Sequence, residues 1–439
     1  MDTKTAIDYT AKIIGYWIPL KIKYDKTPGI SIGITYKGEL IYGAGFGFAD
    51  LETGNKARPE TCYRIASISK LFTTISIMQL EEKGKLCLDD PVVKYLSWFK
   101  SSPIITIKNL LSHSGGLSRE SGNPHWVTYK FPDEKELIMA AGKNQSAISA
   151  SSRFKYTNFG FALLGQIIKK VSGISYEKYV NDNIFKKLRL ENTHTDYHES
   201  IKNLAVGYTR SIPDKERERM PHIKTKSYAP ATGFASNVLD LAKFMSALSV
   251  DNQLILSPDS KKEMFREHWK ARQGDEWYGL GTIIHKIGWR KVVGHSGGFV
   301  GFKTRLSLDT QNDIGVIVLT NTSDSIAKQI ADGIYQTIYH FIDSGDVYGP
   351  EKNLKLYEGV YRSWWADWAV VGVGDKLIGF DVKGESPIKD RALLREKRKN
   401  VFIIETEDGF DSPGEEAKFV FRKGKITLIW GAFPMEKLS

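Results

Sequence analysis

Four residues, Ser67-Ile68-Ser69-Lys70, carry the first chemical hint. Ser67 precedes an apolar-periodic run at Leu71, Ile75, Ile77, Met78 and Leu80, and Gly84 is a plausible stop, so a helix of about five turns starts at or near Ser67. Serine is a favoured helix N-cap, which is one sufficient reason for its presence. The other reason is reactive. Residues three apart share a helix face, so a lysine with a burial-lowered pKa could take the proton of the Ser67 hydroxyl. Exposed N–H groups at the helix start would favour negative charge beside it. Spacing alone decides nothing, because Ser-x-x-Lys recurs at Ser97, Ser152, Ser175, Ser325 and Ser386.

Two further segments bear on Ser67. Tyr156-Thr157-Asn158 immediately precedes an apolar-periodic stretch at Phe159–Val171. His295-Ser296-Gly297-Gly298 falls at a predicted turn between the strands Trp289–Val293 and Val300–Leu308. Each is weak alone, since Tyr179-Val180-Asn181 and His113-Ser114-Gly115 repeat the two patterns. In this order and spacing, the three resemble the serine β-lactamase and penicillin-binding-protein superfamily, with Tyr-x-Asn and His-Ser-Gly standing for its second and third motifs. The combination looks like the class C-like branch of esterases, D-amino-acid peptidases and the broad CubicO group. Asp89–Leu96, Leu110–Leu117 and Gly233–Leu241 look like framework segments of that family, and the resemblance covers about residues 20–343.

The resemblance implies roles. Ser67 attacks an acyl carbon and forms an ester intermediate. Lys70 and Tyr156 hold the protons between them, with positive charge from Lys70 and His295 letting the Tyr156 phenol act as a base. Asn158 holds Lys70 and offers its amide to a substrate carbonyl. The backbone N–H groups of Ser67 and Gly298 bind the oxyanion, and Gly297 and Gly298 allow close approach. Histidine at 295 stands where efficient β-lactamases have lysine, and histidine is mostly neutral at pH 7. The expected reaction is therefore acyl-enzyme hydrolysis of esters or amides, D-amino-acid peptides included, with weak or no β-lactamase activity. The alternatives are a true class C-like β-lactamase, a silent acyl- or peptide-binding sensor, and an acyltransferase. Ser151-Ser152 replace a Pro-Gly common in the family, so that loop differs.

Rival readings are weaker. Gly294-x-Ser296-x-Gly298 matches a nucleophile elbow, but that motif needs a following helix and Phe299–Leu306 reads as strand. His194 and His198 have i,i+4 spacing in loop-like sequence, which favours a surface pair over a metal site. His113 reads as a structural loop residue.

The elements that must position these residues form an α/β (α+β) pattern. A helix at 3–18, strands at about 30–36 and 39–48 around Lys37-Gly38, and the Ser67 helix come first. Shorter helices fill 89–267, and strands at 289–293, 300–308 and 313–320 precede a last helix at 324–343. The architecture expected is an antiparallel sheet flanked by terminal helices with an inserted helical region, β-lactamase/transpeptidase-like, over residues 1–345. A linker marked by Ser344-Gly345-Asp346 and Gly349-Pro350 leads to six or more short strands over 352–439, a small all-β barrel, lipocalin-like by the same resemblance. Trp364, Trp365 and Trp368 are expected in the barrel core, and the basic run Arg391–Lys399 in a solvated hairpin.

Composition is that of a globular chain: 439 residues, 41% hydrophobic and 26% charged. No stretch of about 18 apolar residues reads as a membrane span, and no signal peptide is visible, so a cytoplasmic location is expected. Cys62 and Cys87 are the only cysteines, too few for a disulfide framework. The net charge of +11 is scattered among acidic residues rather than gathered in a stripe, so nucleic acid is not the expected partner. The expectation is a small ester, amide or peptide substrate, no metal and no cofactor, with oligomers possible.

Overall fold

The computed structural model describes residues 1–100, 104–143, 145–271, 274–344, 348–389, 391–409 and 411–438. They form two compact units, one of Pro28–Lys328 and one of Met1–Thr27 with Gln329–Ser439. Of the expected linker, Gly345 and Asp346 lie outside the described residues.

The larger unit is built on a nine-stranded antiparallel sheet. The hairpin Gly29–Tyr36 and Glu39–Asp50 turns at Lys37-Gly38, both at positive φ (49° and 80°), the geometry of a two-residue hairpin loop. The first hairpin strand pairs with Ile314–Thr320, which continues through Phe302–Asp309 to Arg290–Phe299 and Ile283–Ile287. Ile314–Thr320 is buried along its whole length, in keeping with its mostly Ile/Val/Leu content.

One expectation is corrected here. His295 to Gly298 form no turn but the second half of the continuous strand Arg290–Phe299, and the reversal comes at Val300-Gly301. Glycine content reads locally as a turn, whereas here it lets another segment approach the strand.

The helix Ser69–Glu82 is buried at every position from Ser69 to Leu80. Phe72 stacks on Phe244 with ring centroids 3.9 Å apart. Two of its small polar residues bond inside the core, Thr73 Oγ1 donating to Pro230 O at 2.7 Å and Ser76 Oγ to Phe72 O at 2.9 Å. The helix Asn158–Ser172 packs against it. Thr157 caps this second helix by accepting from Gly160 N, and Gly173 ends it at φ 75°.

In the smaller unit, eight antiparallel strands close into a barrel, the closing pair being Gly359–Arg362 with Phe433–Lys437. The helix Thr3–Tyr24 runs past the expected stop, through Pro19. It crosses the helix Ala327–Asp343 at Gly333, where an added Cβ would sit 2.7 Å from the Trp17 ring.

One barrel expectation fails. Trp364 and Trp365 are 96% and 84% exposed at a hairpin tip, and of the three only Trp368 packs on the core, beside Trp430. The basic run does lie in a solvated hairpin: the strand Ala392–Arg398 turns into Val401–Glu405, with Arg395 paired to Glu405 and Lys397 to Glu416. Cross-strand acids, invisible to local pattern, make that strand possible.

Candidate active site

Ser67 does not cap the 69–82 helix with its side chain. It sits in a 3₁₀ turn, Ala66–Ile68, that feeds directly into it. Ala66 holds φ 54°, a left-handed conformation that costs a non-glycine residue of order 1–3 kcal/mol. Ser69 stabilises the turn, its Oγ donating to Ala66 O at 2.6 Å and accepting from Phe234 N at 3.0 Å.

The strand carrying Gly297 closes on this turn. A Cβ at Gly297 would stand 2.3 Å from Ile65 O, 2.0 Å from Thr304 Oγ1 and 3.1 Å from Ala66 Cβ. Thr304, opposite Gly297 in the next strand, donates from Oγ1 to Ile65 O at 3.0 Å. At Gly298 a Cβ would meet only the Lys303 side chain, at 3.2 Å. The Ile283–Ile287 strand pairs only as far as Gly294, so it leaves residues 295–299 unpaired on that edge.

Four of the expected residues converge. Ser67 Oγ lies 3.2 Å from Lys70 Nζ and accepts from Tyr156 OH at 2.9 Å. Lys70 Nζ also donates to Asn158 Oδ1 at 2.8 Å and to Ala231 O at 2.7 Å. Lys70 is fully buried, and burial pushes its pKa well below the usual lysine value. Burial pushes the Tyr156 phenol the other way, above its usual value.

His295 is also at the site, its ring 6.3 Å from that of Tyr156. Its role differs from the one expected. Nδ1 lies 2.6 Å from Ser296 O, so it carries the proton, and Nε2 accepts from Tyr278 OH at 3.0 Å. Burial, reinforced by the Lys70 amine, pushes its pKa down to about 3. A neutral ring with both nitrogens occupied supplies no positive charge to Tyr156. The fixed cation beside the phenol is Arg119, 5.0 Å above its ring.

Sequence reasoning missed Glu120, Tyr278 and Arg119. Glu120 and Arg119 lie in a loop whose sequence has no periodic signal, and Tyr278 is an ordinary strand aromatic. His113 is structural, as expected: its Nδ1 accepts from Thr157 N at 3.2 Å and its ring lies 4.3 Å from that of Tyr156. Ser296 accepts from the buried Arg305 at 3.0 Å in mid-strand, which removes the elbow reading. His194 and His198 bond to each other at 3.1 Å, and among the described residues no cluster could hold a metal ion.

Residues 21–339 match the family model described as Beta-lactamase. Among curated proteins, the chain is 27% identical to Protein flp of Staphylococcus aureus (strain COL) over 321 residues, 70% of this chain and 62% of that one. The chain thus spans less than two thirds of that relative's length. It is 28% identical to the putative penicillin-binding protein PbpX of Bacillus subtilis (strain 168), over 70% of this chain and 74% of that one. Among solved structures, an octameric penicillin-binding protein homologue from Pyrococcus abyssi is 29% identical, with TM-score 0.66, covering 96% of this chain and 98% of that one. A D-stereospecific amidohydrolase from Streptomyces sp. shares the fold at 21% identity, TM-score 0.61, over 77% and 99% of the two chains. No helix among the described residues is long and apolar enough to cross a membrane.

Proposed function

Because the chain belongs to the Beta-lactamase family, we propose that it is a serine hydrolase that cleaves esters or amides through an acyl-enzyme on Ser67. The observation that carries this reading is the double approach to Ser67 Oγ, by Lys70 Nζ at 3.2 Å and by Tyr156 OH at 2.9 Å.

The proton inventory assigns the base. A free lysine amine has two hydrogens and one lone pair. Asn158 Oδ1 and Ala231 O can only accept, so they take the two hydrogens. The lone pair is left for the Ser67 hydroxyl. Burial favours that neutral form. Lys70 therefore takes the Ser67 proton as the oxygen attacks the acyl carbon. Tyr156, a protonated phenol, donates to the same oxygen and hands its proton to the departing alkoxide or amine as the acyl bond breaks. Lys70 then restores the phenol proton. Water attacks the ester intermediate by the reverse path, and the acid leaves with Ser67 regenerated. The N–H groups of Ser67 and Gly298 receive the oxyanion, a contribution of order 10²–10³ in rate per donor.

The neutral His295, closed by Tyr278, argues for esters and peptides over β-lactams, because no lysine charge faces a substrate carboxylate at that position. D-amino-acid amides belong in the substrate set, and self-association is carried over from the relative described as octameric. A substrate panel of p-nitrophenyl esters, nitrocefin, and L- and D-amino-acid amides on wild type and Ser67→Ala tests the reading. Expected are steady ester hydrolysis, slow or no nitrocefin turnover, and total loss in the variant. Undiminished ester turnover in Ser67→Ala refutes it.

A further inference from the structure

Glu120 lies outside every motif, yet it reaches the reactive amine through one residue. Its side chain is 14% exposed. Oε1 accepts from Asn158 Nδ2 at 2.5 Å and lies 3.3 Å from Arg119 Nε, while Oε2 lies 3.0 Å from Nε2 of the buried His125. Its loop is bonded to the start of the 158–172 helix. Arg119 O accepts from Asn158 N and Phe159 N at 3.0 and 3.1 Å, and Ser118 O accepts from Thr157 Oγ1 at 2.8 Å. Next to it, Ser121 Oγ and Tyr228 OH are 2.8 Å apart. The carboxylate is thus held in place by backbone and side chain together.

An asparagine amide has an accepting end and a donating end, and a carboxylate only accepts. With Glu120 on one side, the NH₂ of Asn158 must face it, and Oδ1 must face Lys70. The rotated amide would turn its NH₂ toward Lys70, where it can only claim the lone pair that Ser67 needs, and would set oxygen against oxygen at Glu120. We infer that Glu120 is a positioning residue, whose carboxylate locks the Asn158 amide with Oδ1 on Lys70 and so aims the amine lone pair at Ser67. The inference rests on the hydrolase reading and deepens it.

The charge adds a second effect. The groups facing Lys70 are Glu120 and Arg119 from the loop, His113 behind Tyr156, Tyr156 itself and His295 from the strand. Glu120 is the only acid of this set and favours the protonated amine, opposing burial. Its own neighbours are Arg119, His125, Asn158 and, farther off, Lys70, Tyr156 and Tyr228. Since the free amine is the active form, removing the charge moves the acidic limb of kcat/KM to lower pH.

The test compares Glu120→Gln, Glu120→Ala, Asn158→Ala and the double alanine variant on a p-nitrophenyl ester. Glutamine keeps an acceptor for Asn158 and loses the charge. Its plateau kcat is expected within about 5-fold of wild type, with the acidic limb about one pH unit lower. Glu120→Ala is expected to lose about 10²-fold in kcat, and the double variant to be no slower than Asn158→Ala. A crystal structure of Glu120→Ala is expected to show the Asn158 amide rotated away from Lys70, a readout independent of turnover. Multiplying losses in the double variant, an unmoved acidic limb in Glu120→Gln, or an unmoved Asn158 would overturn the inference. Failure of the hydrolase reading itself would show separately, as turnover that survives Ser67→Ala.

Discussion

Lys70 has three oxygens within hydrogen-bonding distance and, as a free amine, only two hydrogens to give them. In the proposed mechanism, that mismatch makes the Ser67 hydroxyl the donor to the lone pair. The sign of the pH dependence follows. Burial lowers the Lys70 pKa and the active form is deprotonated, so kcat/KM should rise with pH through an acidic limb well below the ordinary lysine value of about 10.4. Lys70→Arg keeps length and hydrogen bonding, but its guanidinium does not deprotonate. A loss of about 10²–10⁴ in kcat is expected, measured on a p-nitrophenyl ester. A variant with near-wild-type kcat would move the base to another group. Of these residues, Ser67, Lys70, Tyr156 and Asn158 were legible through the family resemblance that their three motifs carry together, not from any one spacing. The protonation of His295 was not, because it depends on Tyr278, which reaches the ring only across the sheet.

At the scale of elements, the site is made where a strand and a 3₁₀ turn touch. Gly297 is the contact point, with Ile65 O and Thr304 Oγ1 both inside normal van der Waals range of a methyl group. Gly297→Ala should separate the two and cut kcat/KM by about 10²-fold, since misplacement by about 1 Å is enough for that. Gly298→Ala should stay within about 10-fold, because its methyl meets only the flexible end of Lys303. Equal losses would show that backbone freedom, and not close approach, explains both glycines. The local reading made this segment a turn. Glycines favour turns in isolation, and the neighbouring strand Phe302–Asp309 holds them extended.

At the scale of the molecule, the barrel unit closes through its last strand. Phe433–Lys437 pairs with Lys425–Trp430 on one side and with Gly359–Arg362 on the other. Deleting residues 431–439 leaves two open edges and unpins the buried Tyr361 and Leu428, so amide hydrogen exchange across 359–430 should rise and the protein should aggregate on concentration. Unchanged protection in the barrel strands would show that closure contributes little.

By itself the sequence determined the periodic elements and their order: a helix starting at or near Ser67, a helix over 159–171 ending at Gly173, the hairpin at Lys37-Gly38, and three motifs that mark a family. These are short-range properties, set by propensity, capping and alternation within a few residues. Tertiary structure alone decided which groups carry protons and how they are aimed. Burial lowers the pKa of both Lys70 and His295, and a carboxylate from an unpatterned loop is placed against Asn158. Both depend on atoms brought together from distant parts of the chain, where no local spacing records them.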